Sequence, residues 1–325
     1  MVRPTSQAQL EATKARRAAP MEEIREGVWA IAQPFGSVAE VYTLDYVLED
    51  AAGDLHLIDP GVDSDENFAA LGEQLASIGH GIDDIASVTA THLHHDHLGM
   101  AARVRAASGA PIAMHSLEQA ALEAVEAPSW LSPAGLDTWG VPAERAAELR
   151  AELGRRSSRP RVTADVLLED GDLLDVPGRR LRVLHTPGHT AGHVCVESDD
   201  LLFTGDHVLP NQFAGIGLGG DRGTNPLRDF HDSIALVAPL DHLEACPGHG
   251  WRFSGLGARC EQILSHHDRR TTEVAEVLDR DPDATVWRIA SQLTWTAGWP
   301  NLGGYMLASA LGQTQTHRDF VLDGR

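Results

Sequence analysis

Residues 91–99 read THLHHDHLG, and they come directly after the largely apolar run IASVTA of residues 85–90. This stretch places four potential metal ligands within six residues, namely His92, His94, Asp96 and His97. Side chains two residues apart in a strand point to the same side, so His92 and His94 can bind one cation if the chain is extended there. The next pair then serves a neighbouring cation, since imidazole suits zinc or iron and a carboxylate adds negative charge for a second divalent ion. The alternative is a solvated, histidine-rich loop, and the hydrophobic strand that leads into the cluster argues against it.

Composition limits the kind of protein this is. A chain of 325 residues with 42% hydrophobic residues can form one large domain, or a catalytic domain with a small appendix. The net charge of -21 opposes attraction to nucleic-acid phosphates and to anionic membranes. The three cysteines are widely spaced without a CxxC pair, which indicates reduced thiols and a cytoplasmic setting. No apolar stretch is long enough for a membrane span.

The order of the segments predicts an α/β layered domain. Residues 1–20 contain Lys14, the only lysine, among small polar residues, and we interpret them as a flexible tail or a marginal helix, with a dimer-completing arm as the alternative. From residue 21 to residue 262, short β-like runs alternate with helical patterns, which favours a catalytic domain built of strands and helices. Residues 263–325 carry helical patterns and form a separate C-terminal helical domain.

Two irregular stretches are candidates for a substrate pocket. Residues 126–160 form an insertion whose Trp130 and Trp139 either line a pocket as part of a lid or anchor the insertion to the core. Residues 211–225 are rich in glycine and lack a GxxxxGK[ST] pattern, so a rim loop is favoured over a phosphate-binding loop. Further pocket candidates are Asn211, Phe213 and His207.

Three later motifs also follow short apolar runs: TPGHTAGH at 186–193, TGDH at 204–207 and PGHG at 247–250. An α/β scaffold exposes reactive groups where its strands end. The complete set of candidate metal ligands is His92, His94, Asp96, His97, His189, Asp206 and His249. Six imidazole or carboxylate groups with one bridging carboxylate would hold two cations, and Asp206 is the natural bridge.

Taken in order, the motifs IDPG, THLHHDH, TPGHTAGH, TGD and PGHG resemble those of the metallo-β-lactamase fold superfamily over residues 27–267. The resemblance implies an αββα sandwich with two divalent metal ions at one edge of the sheets, zinc first, with iron or manganese as alternatives. It assigns the first ion to His92, His94 and His189, the second to Asp96, His97 and His249, and the bridge to Asp206. It also makes Asp59 the carboxylate that orients a ligand histidine, and leaves His95 and His193 as non-ligands.

The sequence differs from the motifs of some branches of this superfamily, which limits the branches that it resembles. His94 departs from the HxExD pattern of flavodiiron oxygen reductases, and the span between Asp206 and His249 is too short for the inserted domain of the β-CASP nucleases. An aspartate at position 206 is similar to the glyoxalase II, lactonase and related hydrolase branch. Residues 263–325 are similar to the winged-helix tail of hydrolases related to lactamase-β-2, with a shortened wing. Because the chain is acidic, we expect this tail to close a pocket or form a homodimer rather than to bind nucleic acid.

The predicted activity is hydrolysis of an ester, thioester or lactone of a small molecule by a metal-bound hydroxide, with Asp96 assisting proton transfer. Three alternatives stay open. An endoribonuclease is suggested by the lactamase-β-2 resemblance if the arginines of residues 155–161 form a basic patch, and an iron-dependent sulfur dioxygenase is suggested by the shared first motif. A DNA-binding regulatory module, whose metal site only senses a ligand, belongs to a different class.

Overall fold

The structure is a computed structural model that describes residues 1–35, 41–124, 133–155 and 161–324. Two seven-stranded sheets form its centre. In spatial order, the first sheet contains β2 (Glu22–Arg25), β3 (Val28–Pro34), β4 (Tyr42–Glu49), β5 (Leu55–Ile58), β6 (Ile85–Thr89), β7 (Ile112–His115) and β8 (Val166–Leu168). The second contains β1 (Arg3–Pro4), β14 (Phe253–Ser254), β13 (Glu244–Pro247), β12 (Leu201–Gly205), β11 (Val194–Ser198), β10 (Leu181–His185) and β9 (Leu173–Leu174).

The helices cover the outer faces of the sheets and form a separate group at one end. They are α1 (Gln7–Lys14), α2 (Asp65–Ser77), α3 (His95–Leu98), α4 (Ala101–Ser108), α5 (Ser116–Glu123), α6 (Pro133–Thr138), α7 (Ala143–Arg155), α8 (Pro226–Val237), α9 (Leu256–Arg280), α10 (Val286–Ala290) and α11 (Gly304–Asp323). Local signals start several of them: the Ser64 side chain accepts from the backbone of Asn67 at α2, and Asn225 caps α8 ahead of Pro226. No helix in the described ranges combines the length and apolarity that crossing a bilayer requires.

Three apolar layers hold the sandwich together. Side chains from both sheets meet in the middle, where Tyr46 of β4 packs against Phe203 of β12 with ring centroids 4.9 Å apart. Helices α2 and α4 bury their apolar faces on the first sheet, and α8 and α9 bury theirs on the second. This is the predicted αββα arrangement, and it follows from strands that are apolar on both faces.

The chain direction of the strands brings the sequence motifs to one edge. Strands β5 and β6 are parallel, as are β12 and β13, and two antiparallel steps give β10 the same direction as β12. The segments that follow β5, β6, β10, β12 and β13 therefore leave the two sheets at the same edge. These segments carry the candidate metal ligands.

The N-terminus is not the flexible tail predicted for residues 1–20, because it contains a short strand and a helix, the second form that the sequence allowed. Strand β1 pairs with β14, and α1 is capped by the Ser6 side chain, which accepts from the backbone N–H of Gln9. Gln9 and Ala12 are fully buried, and the Gln9 side-chain oxygen accepts from the backbone N–H of Arg252. Sequence patterns missed this because the helix is held by contacts distant in sequence rather than by its own propensity.

The C-terminal boundary also differs from the prediction. The expected limit between residues 262 and 263 falls inside α9, one continuous helix that packs on the second sheet at its start and on the C-terminal helices further on. From residue 255 to residue 324 the structure has helices and no strand, so the winged-helix comparison is not confirmed.

The insertion and the C-terminal helices form one helical unit, which consists of the described parts of α6 and α7 together with α10 and α11. Leu136, Trp139 and Leu149 of the insertion pack with Leu307 and Leu311 of α11. The backbone carbonyl of Trp139 accepts from the N–H of Trp287, 2.9 Å away. Trp139 is therefore an anchor of this unit and not a pocket residue, and Trp130 lies outside the described residues.

Candidate metal centre

The first group of candidate ligands consists of His92, His94, His189 and Asp206. One donor atom from each lies within 4.8 Å of the others. His94 Nδ1 is 2.9 Å from His92 Nε2 and 3.1 Å from His189 Nε2, and the Asp206 carboxylate is 3.6 Å from His189 Nε2. A cation bound by three nitrogens about 2.0–2.1 Å away fits such a cluster with small outward adjustments.

His92 and His94 do not meet through the extended chain that the sequence favoured. Strand β6 ends at Thr89, and the chain bends through residues 91–93 before the single turn of α3. The two rings instead approach edge to face, with an interplanar angle of 81°, and offer different nitrogens, Nε2 and Nδ1. His92 and His94 are therefore close together, as predicted, but a bend in the chain brings them together rather than an extended strand.

The second group consists of Asp96, His97 and His249. Asp96 Oδ2 lies 3.2 Å from His249 Nε2 and 3.8 Å from His97 Nε2, and the two Nε2 atoms are 3.3 Å apart. Asp96 and His97 come from α3, whereas His249 comes from the loop after β13. All three side chains are buried.

Asp206 lies between the two groups. Its Oδ1 atom is 3.4 Å from His97 Nε2 and 3.5 Å from His249 Nε2, while Oδ2 faces His189 of the first group. One carboxylate thus directs one oxygen to each group, which is the geometry a bridging ligand needs.

Each ligand ring has an outer nitrogen, which faces away from the centre, and an inner nitrogen, which faces it. The hydrogen bond of the outer nitrogen shows which of the two carries the proton. His189 Nδ1 donates to the carbonyl of Gly215 at 2.7 Å, His249 Nδ1 to that of Tyr42 at 2.9 Å, and His94 Nε2 to that of Leu218 at 3.3 Å. A carbonyl oxygen can only accept, so each outer nitrogen carries the proton and each inner nitrogen is free to bind a cation.

The other two rings are fixed through Asp59 and Thr91. Asp59 Oδ2 accepts from His97 Nδ1 at 2.9 Å and from the Thr91 hydroxyl at 2.7 Å. Because that hydroxyl proton is directed at Asp59, the Thr91 oxygen accepts from His92 Nδ1, 3.0 Å away. Asp59 makes the contact that its predicted orienting role requires, and it does so from a left-handed backbone conformation with φ of 54° that non-glycine residues rarely adopt.

The charges of the centre also suit cations. Burial, with the neighbouring rings, holds the pKa of His92 and His189 well below the usual value, and burial lowers that of His94 to about 4. Burial raises the pKa of Asp96, but His97 and His249 lower it by more. The net pKa is therefore below the usual value, and this carboxylate is ionised at neutral pH. Burial lowers the pKa of His97, yet Asp206, Asp96 and Asp59 raise it to about 9, so in the metal-free protein a proton supplies the positive charge there. The donors therefore fit two divalent cations in residue type, tautomer and charge.

Glycines let the backbone approach this cluster. A Cβ atom at Gly248 would lie 2.5 Å from His97 Cε1 and 2.8 Å from Asp206 Oδ1. At Gly205, φ is +45°, and a Cβ would lie 2.6 Å from Thr91 Oγ1. Any larger residue at either position would displace a side chain of the centre.

Glu118 is a functional candidate that the sequence did not reveal. Its carboxylate, which is fully buried, accepts from the backbone N–H of Leu93 and from that of Gly192, each at 2.6 Å. Leu93 lies between His92 and His94, and Gly192 lies in the loop of His189, so one side chain joins the two segments of the first group. Burial raises the pKa of Glu118 to about 7, although hydrogen bonds from its partners lower it. In the sequence this residue is one glutamate in an ordinary helical pattern.

The remaining predicted residues are spread around the centre. His193 accepts from the backbone N–H of Asp206 at 3.2 Å and belongs to neither ligand group, and the half-exposed His95 ring lies against Phe35. His207 is fully buried against Phe230, so its prediction as a pocket residue is wrong. Asn211 lines a cavity beside the His249 loop, and the exposed Phe213 stacks on His266 with ring centroids 3.8 Å apart.

Comparison with known proteins places this fold and site in a class. The family model of the metallo-beta-lactamase superfamily matches residues 39–249, more than half of the 325 residues. The chain belongs to this superfamily.

Individual relatives agree with that assignment. The chain is 28% identical over 278 residues to the probable metallo-hydrolase YqjP of Bacillus subtilis, covering 82% of this chain and 84% of that protein. It is 36% identical over 103 residues to the probable polyketide biosynthesis zinc-dependent hydrolase BaeB of Bacillus velezensis, covering 31% and 44%. The lactamase-like protein nscB of Aspergillus fumigatus is 31% identical over 116 residues, and the match spans 35% of this chain and only 33% of that protein.

Solved structures show the same architecture. A metallo-beta-lactamase family protein from Thermus thermophilus superposes with a TM-score of 0.77 at 25% identity, over 93% of this chain and 95% of that one. A beta-lactamase domain protein from Burkholderia ambifaria gives 0.72 at 22% identity, over 94% and 88%. These superpositions show that the chain has the fold of those proteins.

Proposed function

We propose that the chain is a dinuclear-metal-dependent hydrolase that cleaves an ester, thioester or lactone bond in a small molecule. The observation that supports this most is the convergence of the inner nitrogens of five histidines on two carboxylates, with every outer nitrogen held by an oxygen acceptor. Such preorganisation favours a catalytic centre over a loop that binds metal adventitiously.

The chemistry divides between the cations and the chain. Two divalent cations, when bound, lower the pKa of a water molecule towards neutrality and polarise a carbonyl group. Asp206 sets the separation of the two ligand groups. Asp96 belongs to the second ligand group, 3.2 Å from His249 Nε2, and we propose that its carboxylate also assists proton transfer.

A protein nucleophile is not favoured. Burial raises the pKa of Cys195 and of Cys260 to about 12 and that of Cys246 further still, and all three thiols are buried. Such thiols remain protonated at neutral pH and unreactive. The proposal is therefore direct hydrolysis without a cysteine nucleophile.

The test combines metal analysis with a substrate panel. Purified protein should contain close to two zinc ions per chain and hydrolyse a lactone, a thioester or an aryl ester, but not a single-stranded RNA. Asp206→Ala should lose metal and at least about 100-fold in kcat/KM, because both ligand groups lose a shared carboxylate. The matched control is His95→Ala, in the same motif but outside both ligand groups, which should keep metal and turnover.

Two results would count against the proposal. Full activity in the Asp206→Ala protein would remove the assignment of the centre. Iron in the protein together with oxygen uptake on a persulfide would replace hydrolysis with the sulfur dioxygenase alternative.

A further inference from the structure

A cavity of about 310 Å³ lies beside the loop that carries His249. It is bounded by the end of α1, by β4 and by the segments after β12 and β13. Its lining combines two cationic, two amide and two aromatic side chains, from Lys14, Arg16, Asn211, Gln212, Tyr42 and Trp251.

The cavity is connected to the metal centre through Tyr42 and Gly250. The carbonyl of Tyr42 accepts from His249 Nδ1 at 2.9 Å, and the Tyr42 hydroxyl donates to the carbonyl of Gly250, the residue after His249, at 2.6 Å. Thr13 at the end of α1 is 2.8 Å from the same hydroxyl. The cationic end of α1 is thus fixed against the ligand loop, and the cavity lies beside the backbone that holds His249 of the second ligand group.

The charge of this cavity is exceptional in an acidic chain. The net charge is -21, yet residues 14–17 contain three basic side chains, among them the only lysine. Lys14 is exposed, and the described part of the chain provides no ion pair for it. Its charge is therefore available to a ligand.

The backbone conformation of Arg16 is a second observation on this segment. Its φ of 53° is left-handed, a conformation that favours glycine at the end of a helix. A non-glycine residue is strained in that conformation. Arg16 thus places a basic side chain at a position where the backbone of glycine would be less strained.

We propose that this cavity binds the anionic group, a carboxylate or a phosphate, of a substrate whose scissile bond lies at the metal centre. The cations neutralise the anion, the amides of Asn211 and Gln212 donate hydrogen bonds to it, and Tyr42 and Trp251 cover the carbon chain that joins it to the reacting carbonyl. The inference rests on the proposed function for the scissile bond, but the anion site can be measured by itself.

The binding test uses glutarate and inorganic phosphate as non-reacting probes, titrated calorimetrically into the metal-loaded protein. Lys14→Met should weaken binding of the preferred probe at least about fivefold, Lys14→Met/Arg16→Met further, and added salt should weaken binding to the wild type. The preferred probe distinguishes a carboxylate from a phosphate ligand. Because either anion can also bind the metal ions, only the difference between variants measures the cavity.

The matched control is Arg17→Met, which removes the same charge from the same segment without touching the cavity lining. It should bind both probes within about twofold of the wild type. Lys14→Arg should restore most of the affinity, because arginine keeps the positive charge at this position. Equal affinity of the wild type and the double variant for both probes would overturn the proposal.

A turnover test links the cavity to the substrate. The ratio of kcat/KM for the p-nitrophenyl hemiester of glutaric acid to that for p-nitrophenyl acetate should fall at least about fivefold in Lys14→Met and stay constant in Arg17→Met. If no ester is hydrolysed but anion binding depends on Lys14, the proposed hydrolysis fails and the anion site stands. If esters are hydrolysed but neither anion binding nor the ratio responds, the anion site alone fails.

Discussion

At the scale of single residues, the metal centre depends on atoms that face away from it. His189, His249 and His94 each donate an outer N–H to a backbone carbonyl, and His97 donates to Asp59. Each bond fixes both the tautomer and the orientation of a ring. Three of these acceptors belong to Gly215, Tyr42 and Leu218, whose side-chain types carry no information about the role.

Glu118 provides a prediction at this scale. Its carboxylate accepts two backbone N–H groups at 2.6 Å, whereas glutamine offers one accepting oxygen and would direct an NH2 group at the second donor. A buried donor without an acceptor costs about 1–3 kcal/mol, so Glu118→Gln should displace one ligand segment. We expect zinc affinity to fall about 10–100-fold, measured by competition with a chromophoric chelator.

The control for this variant lies one residue away. Gln119 is also buried, and its side-chain oxygen accepts from the N–H of Ala164, away from both ligand segments. Gln119→Ala should lose stability but keep zinc affinity. Equal zinc affinity in the two variants would show that Glu118 only supports the fold.

The ligand residues predicted from the sequence were polar or ionisable residues at positions where an apolar run ends. A histidine or aspartate directly after an apolar run is conspicuous, and all seven predicted ligands lie in the two groups. Glu118 resembles any helix-surface glutamate until the helix is placed against the loops. Its partners are 25 and 74 positions away along the chain, so no local pattern contains them.

At the scale of elements, α8, α9 and α11 meet at a group of histidines, of which His267 and His317 are buried. His267 of α9 stacks on His317 of α11 with ring centroids 5.7 Å apart, and His231 of α8 lies 6.4 Å away. Burial, followed by His317, His266, His231 and Arg270, lowers the pKa of His267 to about 2. This ring is therefore neutral in the folded protein down to low pH.

The pH dependence of stability follows from that shift. The pKa of His267 is about 2 when folded and 6.5 when unfolded, so the unfolded chain binds more protons below pH 6.5. Its contribution to stability is fully present above pH 6.5 and is lost as the pH falls below that value. When the pH is lowered from about 7.5 to about 5.5, the unfolding free energy of both proteins falls. The fall should be about 1.4 kcal/mol smaller in His267→Gln than in the wild type.

Urea denaturation at the two pH values measures this difference. The reading is the change with pH, so a uniform loss of stability in the variant does not affect it. Parallel losses in the two proteins would mean that His267 is already accessible to protons in the folded state.

Elements were predicted well where their own residues specify them and poorly where distant contacts do. Helix α8 begins at a local signal, the Asn225 cap followed by Pro226, so its own residues specify where it starts. By contrast, α1 is short and has no strong apolar face, and it is fixed by Tyr42, Arg252 and the edge of the second sheet. Those contacts exist only after the sandwich has formed.

At the scale of the whole molecule, the helical unit reaches the metal centre through the rim loop. Asn225 donates from its side chain to the carbonyl of Thr316 on α11, at 3.1 Å. Further along the same loop, Gly217 and Leu218 donate backbone hydrogen bonds to Gly188 and His189, each at 2.8 Å. The helical unit therefore supports the loop whose carbonyls orient two ligand histidines.

Metal binding should stabilise the whole fold, because the ligands come from segments that are close together only in the folded chain. At a free metal concentration about 100 times the dissociation constant, the stabilisation is about 2.7 kcal/mol. Removing metal with a chelator should lower the thermal midpoint by several degrees, measured by calorimetry, and zinc should restore it. The Asp206→Ala protein should show little response, and an equal response would mean that the stabilising metal binds elsewhere.

The sequence by itself determined the α/β layered architecture and the list of candidate metal-binding side chains. Both follow from local patterns: apolar runs specify the strands, and polar residues that stop those runs mark the reactive edge. Only the tertiary structure decided the tautomers set by backbone carbonyls, the contacts of Glu118 and the cationic cavity at the end of α1. Each of these depends on distances between atoms far apart along the chain, which the packing of the two sheets fixes and no stretch of sequence encodes alone.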